Sequence, residues 1–372
     1  MSSSRRSGAD QPPDLVWPAD LQRDSPARLV YLDLNHFINL AKLIKGNPDV
    51  PPVYRDLLDA ILRAKAAGRA RFPLSMIHFI EMGQNGSPRQ RADVTKVMED
   101  ISDFDALPTR SRIAEMEIEA VLDRILGTRT LLAPVPLVGF GISSALGLRG
   151  FRVRRGVADV TEEMRNTIGA GQFDGMLASA ERSLTRALLA GPSTADLVSL
   201  RANGYAPEEI AKGAESRVDF ERELVRILNA DKDTNWRAGR LRDAVAAREL
   251  IHEWNDALTR SMIRRSTTIG DVLEGDPAIE RDRIRNFVES MPSTRVAVSI
   301  KTRYHANPLH PWKVNDVHDI DALSVAVAYC DAVITDKAAR NAVQVSAELT
   351  ALDCFMPRTI DALVDWLNAL PQ

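Results

Sequence analysis

Asn315-Asp-Val-His-Asp-Ile-Asp-Ala-Leu-Ser-Val-Ala-Val-Ala-Tyr-Cys-Asp-Ala-Val-Ile-Thr-Asp-Lys337 is the stretch on which the fold turns. Its entry is polar and acid-rich, its middle is a run of small and β-branched residues, and it ends in a short apolar run closed by Thr335-Asp336-Lys337. That order reads as helix, turn and strand. Asp316, Asp319 and Asp321 crowd the expected helix N-terminus, where the macrodipole favours negative charge. Asp336 leaves the carboxyl end of the strand Ala332 to Thr335, and in open α/β sheets that edge binds ligands. Two upstream acids hold comparable places: Asp33 closes Leu29-Val-Tyr-Leu32, and Glu81 follows Phe72-Pro-Leu-Ser-Met-Ile-His-Phe-Ile80. Four carboxylates brought together would repel and raise one another's pKa values. A hard divalent cation, Mg²⁺ or Mn²⁺, resolves that conflict, because it takes oxygen ligands and binds phosphate oxygens of a substrate.

At 372 residues the chain exceeds a usual single domain, so two domains or one domain with an insertion is expected. Its 48 basic and 51 acidic residues give a net charge of -3, so no overall polycation advertises nucleic-acid binding. Such binding would use local patches, for which Arg152 to Arg155, Arg237 to Arg242 and Arg260 to Arg265 are the candidates. Trp236 and Trp254 lie beside two of them, as base-stacking or core residues. Cys330 and Cys354 fall in expected core elements without a CxxC or zinc spacing, which suits a reducing cytoplasm. No apolar run follows Arg5 and Arg6, so no secretory signal is expected. Thr130 to Leu148 carries no charge, but Pro134, Pro136, Gly139, Gly141 and Gly147 interrupt it. It reads as a buried or interface-forming segment, with no stable membrane association.

In chain order, Pro12, Pro13, Pro18 and Pro26 make residues 1–27 an irregular or disordered tail. Leu29 to Leu32 is a buried strand, and Asn35 can cap a helix carrying Phe37, Leu40, Ala41 and Ile44 at helical spacing. A helix from Val53 to Ala67 and a strand from Arg71 to Leu74 come next, and Ser75 opens a helix with His78 and Glu81 on one face. His78 reads as a structural imidazole, since the other candidate ligands are all oxygen. Between Gly83 and Pro292 the periodicity is helical over residues 113–125, 160–176, 178–189, 207–228 and 238–264. Breaks fall at Gly191-Pro192, Gly204 and Asp231-Lys-Asp233. A helix from Thr294 to Tyr304 and the turn-rich His305 to Pro311 lead into the opening stretch. A helix to Glu348, a strand from Leu349 to Phe355 and a last helix from Thr359 to Leu370 complete the chain. Strands alternating with helices make this end α/β.

The segments Tyr31-Leu-Asp-Leu-Asn35, Ser75-Met-Ile-His-Phe-Ile-Glu81, Asn315-Asp-Val-His-Asp319 and Tyr329-Cys-Asp-Ala-Val-Ile-Thr-Asp-Lys337 resemble, in kind and order, those of the PIN-domain nucleases. The resemblance covers about Leu29 to Met82 and Met291 to Leu370, well under half the chain. It implies a three-layer α/β/α fold with a central parallel sheet, formed by residues 28–85 and 291–372, with residues 86–290 as a large all-helical insertion. It also implies Asp33, Glu81, Asp319 and Asp336 as catalytic ligands of one or two Mg²⁺ or Mn²⁺ ions. Asn35, Ser75 and Thr335 match the supporting polar residues, and Asp316 stands where it could join a second metal site. Asp319 is preferred to Asp321 as the third acid, because it places Leu323 and Ala326 at +4 and +7 of the helix that follows.

The function expected on this basis is a metal-dependent endonuclease acting on nucleic acid, with RNA as the substrate class, in a toxin or defence setting. The alternative is a catalytically inactive scaffold whose helical insertion binds protein or nucleic-acid partners or a second copy of the chain. A small-substrate phosphatase is disfavoured, since Asp33-Leu-Asn35 has Asn where a nucleophile loop needs a second Asp.

Overall fold

A computed structural model describes residues 12–84, 87–129, 132–193, 195–202, 206–230, 236–273 and 275–371. Helix makes up 66% and strand 7%, with sheets of two or three strands only. The expected three-layer α/β/α architecture around a central sheet is therefore corrected: this is a mostly helical protein. The cause is the shortness of the strands. Those of the largest sheet are β1 (Arg28–Leu32), β2 (Ala70–Arg71) and β3 (Ala332–Ile334), in the parallel order β2-β1-β3. Pro73 cannot donate to a ladder, so β2 stops at Arg71 and Leu74 makes only an isolated bridge to Ala106. The expected strand at Leu349 to Phe355 is instead a 3₁₀ turn over Ala347–Leu352, whose Ala, Glu and Leu residues favour helical backbone. Phe355 retains one bridge, to Ala332.

Seven helices matter for the site: α1 (Leu34–Ile44), α2 (Met76–Gln84), α3 (Arg110–Leu126), α4 (Pro207–Ala230), α5 (Pro292–Ala306), α6 (Val314–Tyr329) and α7 (Lys337–Gln344). β1 is buried on both faces, as a parallel strand must be. Val30 and Leu32 pack with α1 and the last helix, Ile360–Asn368, while Leu29 and Tyr31 pack with α5 and α6. A third apolar cluster joins α3 to residues 241–273 and Phe287.

Residues 86–290 are not all helical. Asp105–Ala106 pairs with Gly139–Phe140, and Arg154–Arg155 pairs with Ala158–Asp159. The expected helix over 160–176 is split at Gly169, whose φ of 96° ends Thr161–Ile168 before Ala170–Ala190 begins. The one expected over 238–264 is divided by π-helical turns at Trp236–Arg240 and Glu249–Glu253. The breaks at Gly204 and Asp231-Lys-Asp233 lie outside the described residues, as does Thr130. The uncharged segment forms short strands and the helix Gly141–Ala145, and no helix among the described residues is long and apolar enough to cross a membrane. In the N-terminal stretch, Leu21–Gln22 pairs with Val135–Pro136 and Val16 N donates to Ser290 O at 2.8 Å, so residues 12–27 follow the helical region.

Candidate active site

The register of β1 against β3 sets Leu32 beside Ile334, so the two strands end level and release Asp33 and Asp336 at the same edge. Asp33 N donates back to Ile334 O at 3.1 Å. Asp33, rather than the expected Asn35, caps α1: its Oδ1 accepts from Asn35 N at 3.2 Å. Its Oδ2 accepts from the buried Thr335 hydroxyl at 3.2 Å. Asp336 caps α7, with Oδ1 accepting from Ala338 N at 2.5 Å and Ala339 N at 3.1 Å. Each acid thus has one oxygen fixed by a helix start, where the dipole supports its charge.

His78 brings α2 to this edge. Its Nδ1 accepts from Ser75 N at 2.9 Å, which leaves the ring proton on Nε2 to donate to Leu32 O at 2.9 Å. Burial lowers its pKa and keeps the ring neutral, which agrees with a structural imidazole. Ser75 Oγ shares a second hydrogen bond, of 3.1 Å, with the Tyr31 hydroxyl. These contacts pin the start of α2 to the end of β1, and Glu81 lies one turn further on.

Glu81 and Asp319 make no hydrogen bond or ion pair among the described residues. Burial, and then Asp33, pushes Glu81 up to about 7. Burial, then Asp336, Asp33, Glu81 and Asp316, pushes Asp319 up to about 8. Asp319 is thus the carboxyl on which the charges of the other three sequence-predicted acids act, and Glu81 is acted on by Asp33. Among the described residues no three His, Cys, Asp or Glu side chains are gathered tightly enough to grip an ion directly. Mg²⁺ in particular keeps several waters and needs only one or two protein carboxylates. Asp316 sits at the margin and caps α6, its Oδ2 accepting from Lys313 N at 2.7 Å and lying 3.2 Å from His310 Nε2.

Asp321 is elsewhere engaged. Arg217 of α4 grips both its oxygens at 2.6 and 2.8 Å, and Arg110 of α3 donates to Oδ1 at 3.1 Å. Burial opposes its charge, but the two guanidiniums outweigh burial and hold the carboxyl well below the usual range. The pair belongs to a larger network. Arg110 also binds Glu249, Arg217 donates to Glu253 at 3.0 Å, and Lys301 lies 2.7 Å from Glu221 and 2.8 Å from Glu249. Nothing local in the sequence marks Arg110 or Arg217, which lie on helices far from Asp321 along the chain.

The basic patches are partly consumed in the same way. Arg265 binds Glu119 and Asp123, Arg242 binds Glu289 and Glu348, and Arg152 binds Asp159 at 2.7 Å. Trp254 is buried, with the Arg110 guanidinium 4.8 Å from its ring centre.

No family model, no curated protein and no solved structure matches the chain.

Proposed function

We propose that the chain is a metal-dependent nuclease that hydrolyses phosphodiester bonds, with RNA as its substrate, through Asp33, Glu81, Asp319 and Asp336. The observation that carries this reading is the lack of any cationic or hydrogen-bonding partner for Glu81 and Asp319 among the described residues. Both side chains are half-buried, and carboxylates kept close to other carboxylates with no cation to offset them are found where they have work to do. The motif resemblance to PIN-domain nucleases supports the reading at the level of these residues, not of the overall architecture, and it is the source of RNA as substrate.

The donor set suits Mg²⁺ or Mn²⁺, since it is all carboxylate at the end of parallel strands. When bound, such an ion polarises a phosphoryl oxygen and lowers the pKa of water. Asp33, Glu81, Asp319 and Asp336 would hold it, with Asp316 at the margin. Thr335 and the start of α1 orient Asp33, the start of α7 orients Asp336, and the His78 bridge holds Glu81 against β1. This prior positioning spares the loss of freedom that assembling the ligands would otherwise cost.

The test incubates purified protein with labelled single-stranded RNA, double-stranded RNA and DNA in Mn²⁺, Mg²⁺ or EDTA. Cleavage should require the ion. Asp33→Asn should fold normally yet lose several powers of ten in rate, because removing one ligand misplaces the ion. An unaltered rate in the folded variant would refute the assignment, and a wild type that cuts nothing but binds a protein would favour a scaffold.

A further inference from the structure

α5 ends at Ala306 and the chain then folds back over it before α6. Four aromatic rings meet in this corner. His310 stacks on Tyr304 with ring centres 4.4 Å apart and planes 22° from parallel. Trp312 stands edge-on to both, 5.7 Å from Tyr304 and 5.3 Å from His310, and 4.7 Å from His305. The inner pair, Trp312 and His305, is 3% and 0% exposed, whereas Tyr304 and His310 are only half-buried. His310 Nε2 lies 3.2 Å from Asp316 Oδ2, which ties the outer pair to the first turn of α6, one turn before Asp319. The Tyr304 hydroxyl has no hydrogen-bond partner among the described residues. Burial, and then the negative charge of Asp319, Asp316 and Asp336, raises its pKa.

We infer that Tyr304 and His310 form a stacking platform for an unpaired base of a single-stranded polynucleotide, next to the bond to be cut. Every base has an aromatic face, so such a platform accepts many sequences, and each stacked base contributes about 1–3 kcal/mol. In a duplex both faces of a base are already stacked on their neighbours. The platform therefore selects single strands. Lys337, exposed at the start of α7, and Lys313, exposed before α6, flank the acids with positive charge suited to neighbouring phosphates. The two rings that stack on each other, Tyr304 and His310, are the ones left partly open to solvent.

This inference rests on the nuclease reading, and the experiment separates the two. Initial rates of the full chain in Mn²⁺ are measured on a labelled single-stranded RNA, its DNA counterpart and the matching RNA duplex, for wild type, Tyr304→Ala, Tyr304→Phe and His310→Ala. Single strands should be preferred. Tyr304→Ala should raise KM about 5- to 150-fold, the range of one lost stack. Tyr304→Phe should restore it, and the Mn²⁺ concentration giving half-maximal rate should not move. His310→Ala provides the same test if Tyr304→Ala fails to fold, as judged by circular dichroism. Unchanged KM in the alanine variants, failure of Tyr304→Phe to restore binding, or preference for duplex would overturn the platform while leaving the nuclease intact. A wild type that cleaves none of the substrates would overturn the nuclease reading itself.

Discussion

Asp319 and Asp321 stand two residues apart on one helix, in opposite surroundings. Asp321 faces the helical region, where two arginines hold its charge and a network of Glu221, Glu249, Glu253 and Lys301 extends behind them. Asp319 faces the strand ends, where the charges of Asp336, Asp33 and Glu81 act on it and, among the described residues, no ion pair or hydrogen bond engages its carboxyl. The network follows the usual rule that buried charges are paired. Among the described residues the half-buried Glu81 and Asp319 have no such partner, and the difference separates a carboxylate tied into the fold from carboxylates with nothing in it to pair with.

The largest effect should come from breaking the paired side. Asp321→Asn, or removal of Arg217, takes one charged partner out of the network while the others remain, and should cost about 1–3 kcal/mol, read as a fall in the denaturant midpoint. The same change at Asp319 should act in the opposite sense. Without metal, Asp319→Asn removes a repelled, partly desolvated charge and should stabilise the chain by about 1–2 kcal/mol at pH 8, a rise of a few degrees in Tm. Equal destabilisation by both variants would erase the distinction.

The smallest effect is a difference in pH dependence. A carboxyl whose pKa is raised on folding binds its proton more tightly in the folded chain. Stability is then greatest below the ordinary carboxylate range and declines as pH rises toward the folded value. For Glu81 and Asp319 that decline should run from about pH 4 to about 7 and 8 in EDTA. Asp321, whose pKa is lowered, contributes in the reverse direction, and its stabilisation is lost as pH falls below the ordinary range. Asp319→Asn should flatten the decline between about pH 4 and about 8 and leave the loss at lower pH, which comes from Asp321, unchanged.

Much of the cleft was legible because its acids are marked locally. Asp33 and Asp336 follow short apolar runs and cap the next helix, and Asp319 keeps apolar residues at +4 and +7. The preference for Asp319 over Asp321 agrees with the arginines on Asp321, but those partners were invisible, since Arg110 and Arg217 lie 211 and 104 residues away. The architecture was misjudged for a related reason. Apolar runs around Pro73 and Leu349 resemble strands in isolation, yet a proline and a set of helix-favouring residues kept them out of the sheet. Tyr304 and His310 gave no sequence signal beyond a turn-rich segment, because their stacking depends on how that turn closes over α5.

Thermal unfolding of wild type, Asp319→Asn and Asp321→Asn at pH 8, each in EDTA and in excess Mn²⁺, tests the central distinction most directly. A ligand that binds only the folded chain raises Tm. Mn²⁺ should raise it for wild type and for Asp321→Asn, whatever the starting stability of the latter, and should have little effect on Asp319→Asn. An equal rise in all three, or none in wild type, would contradict the assignment of the unpaired acids to a metal site.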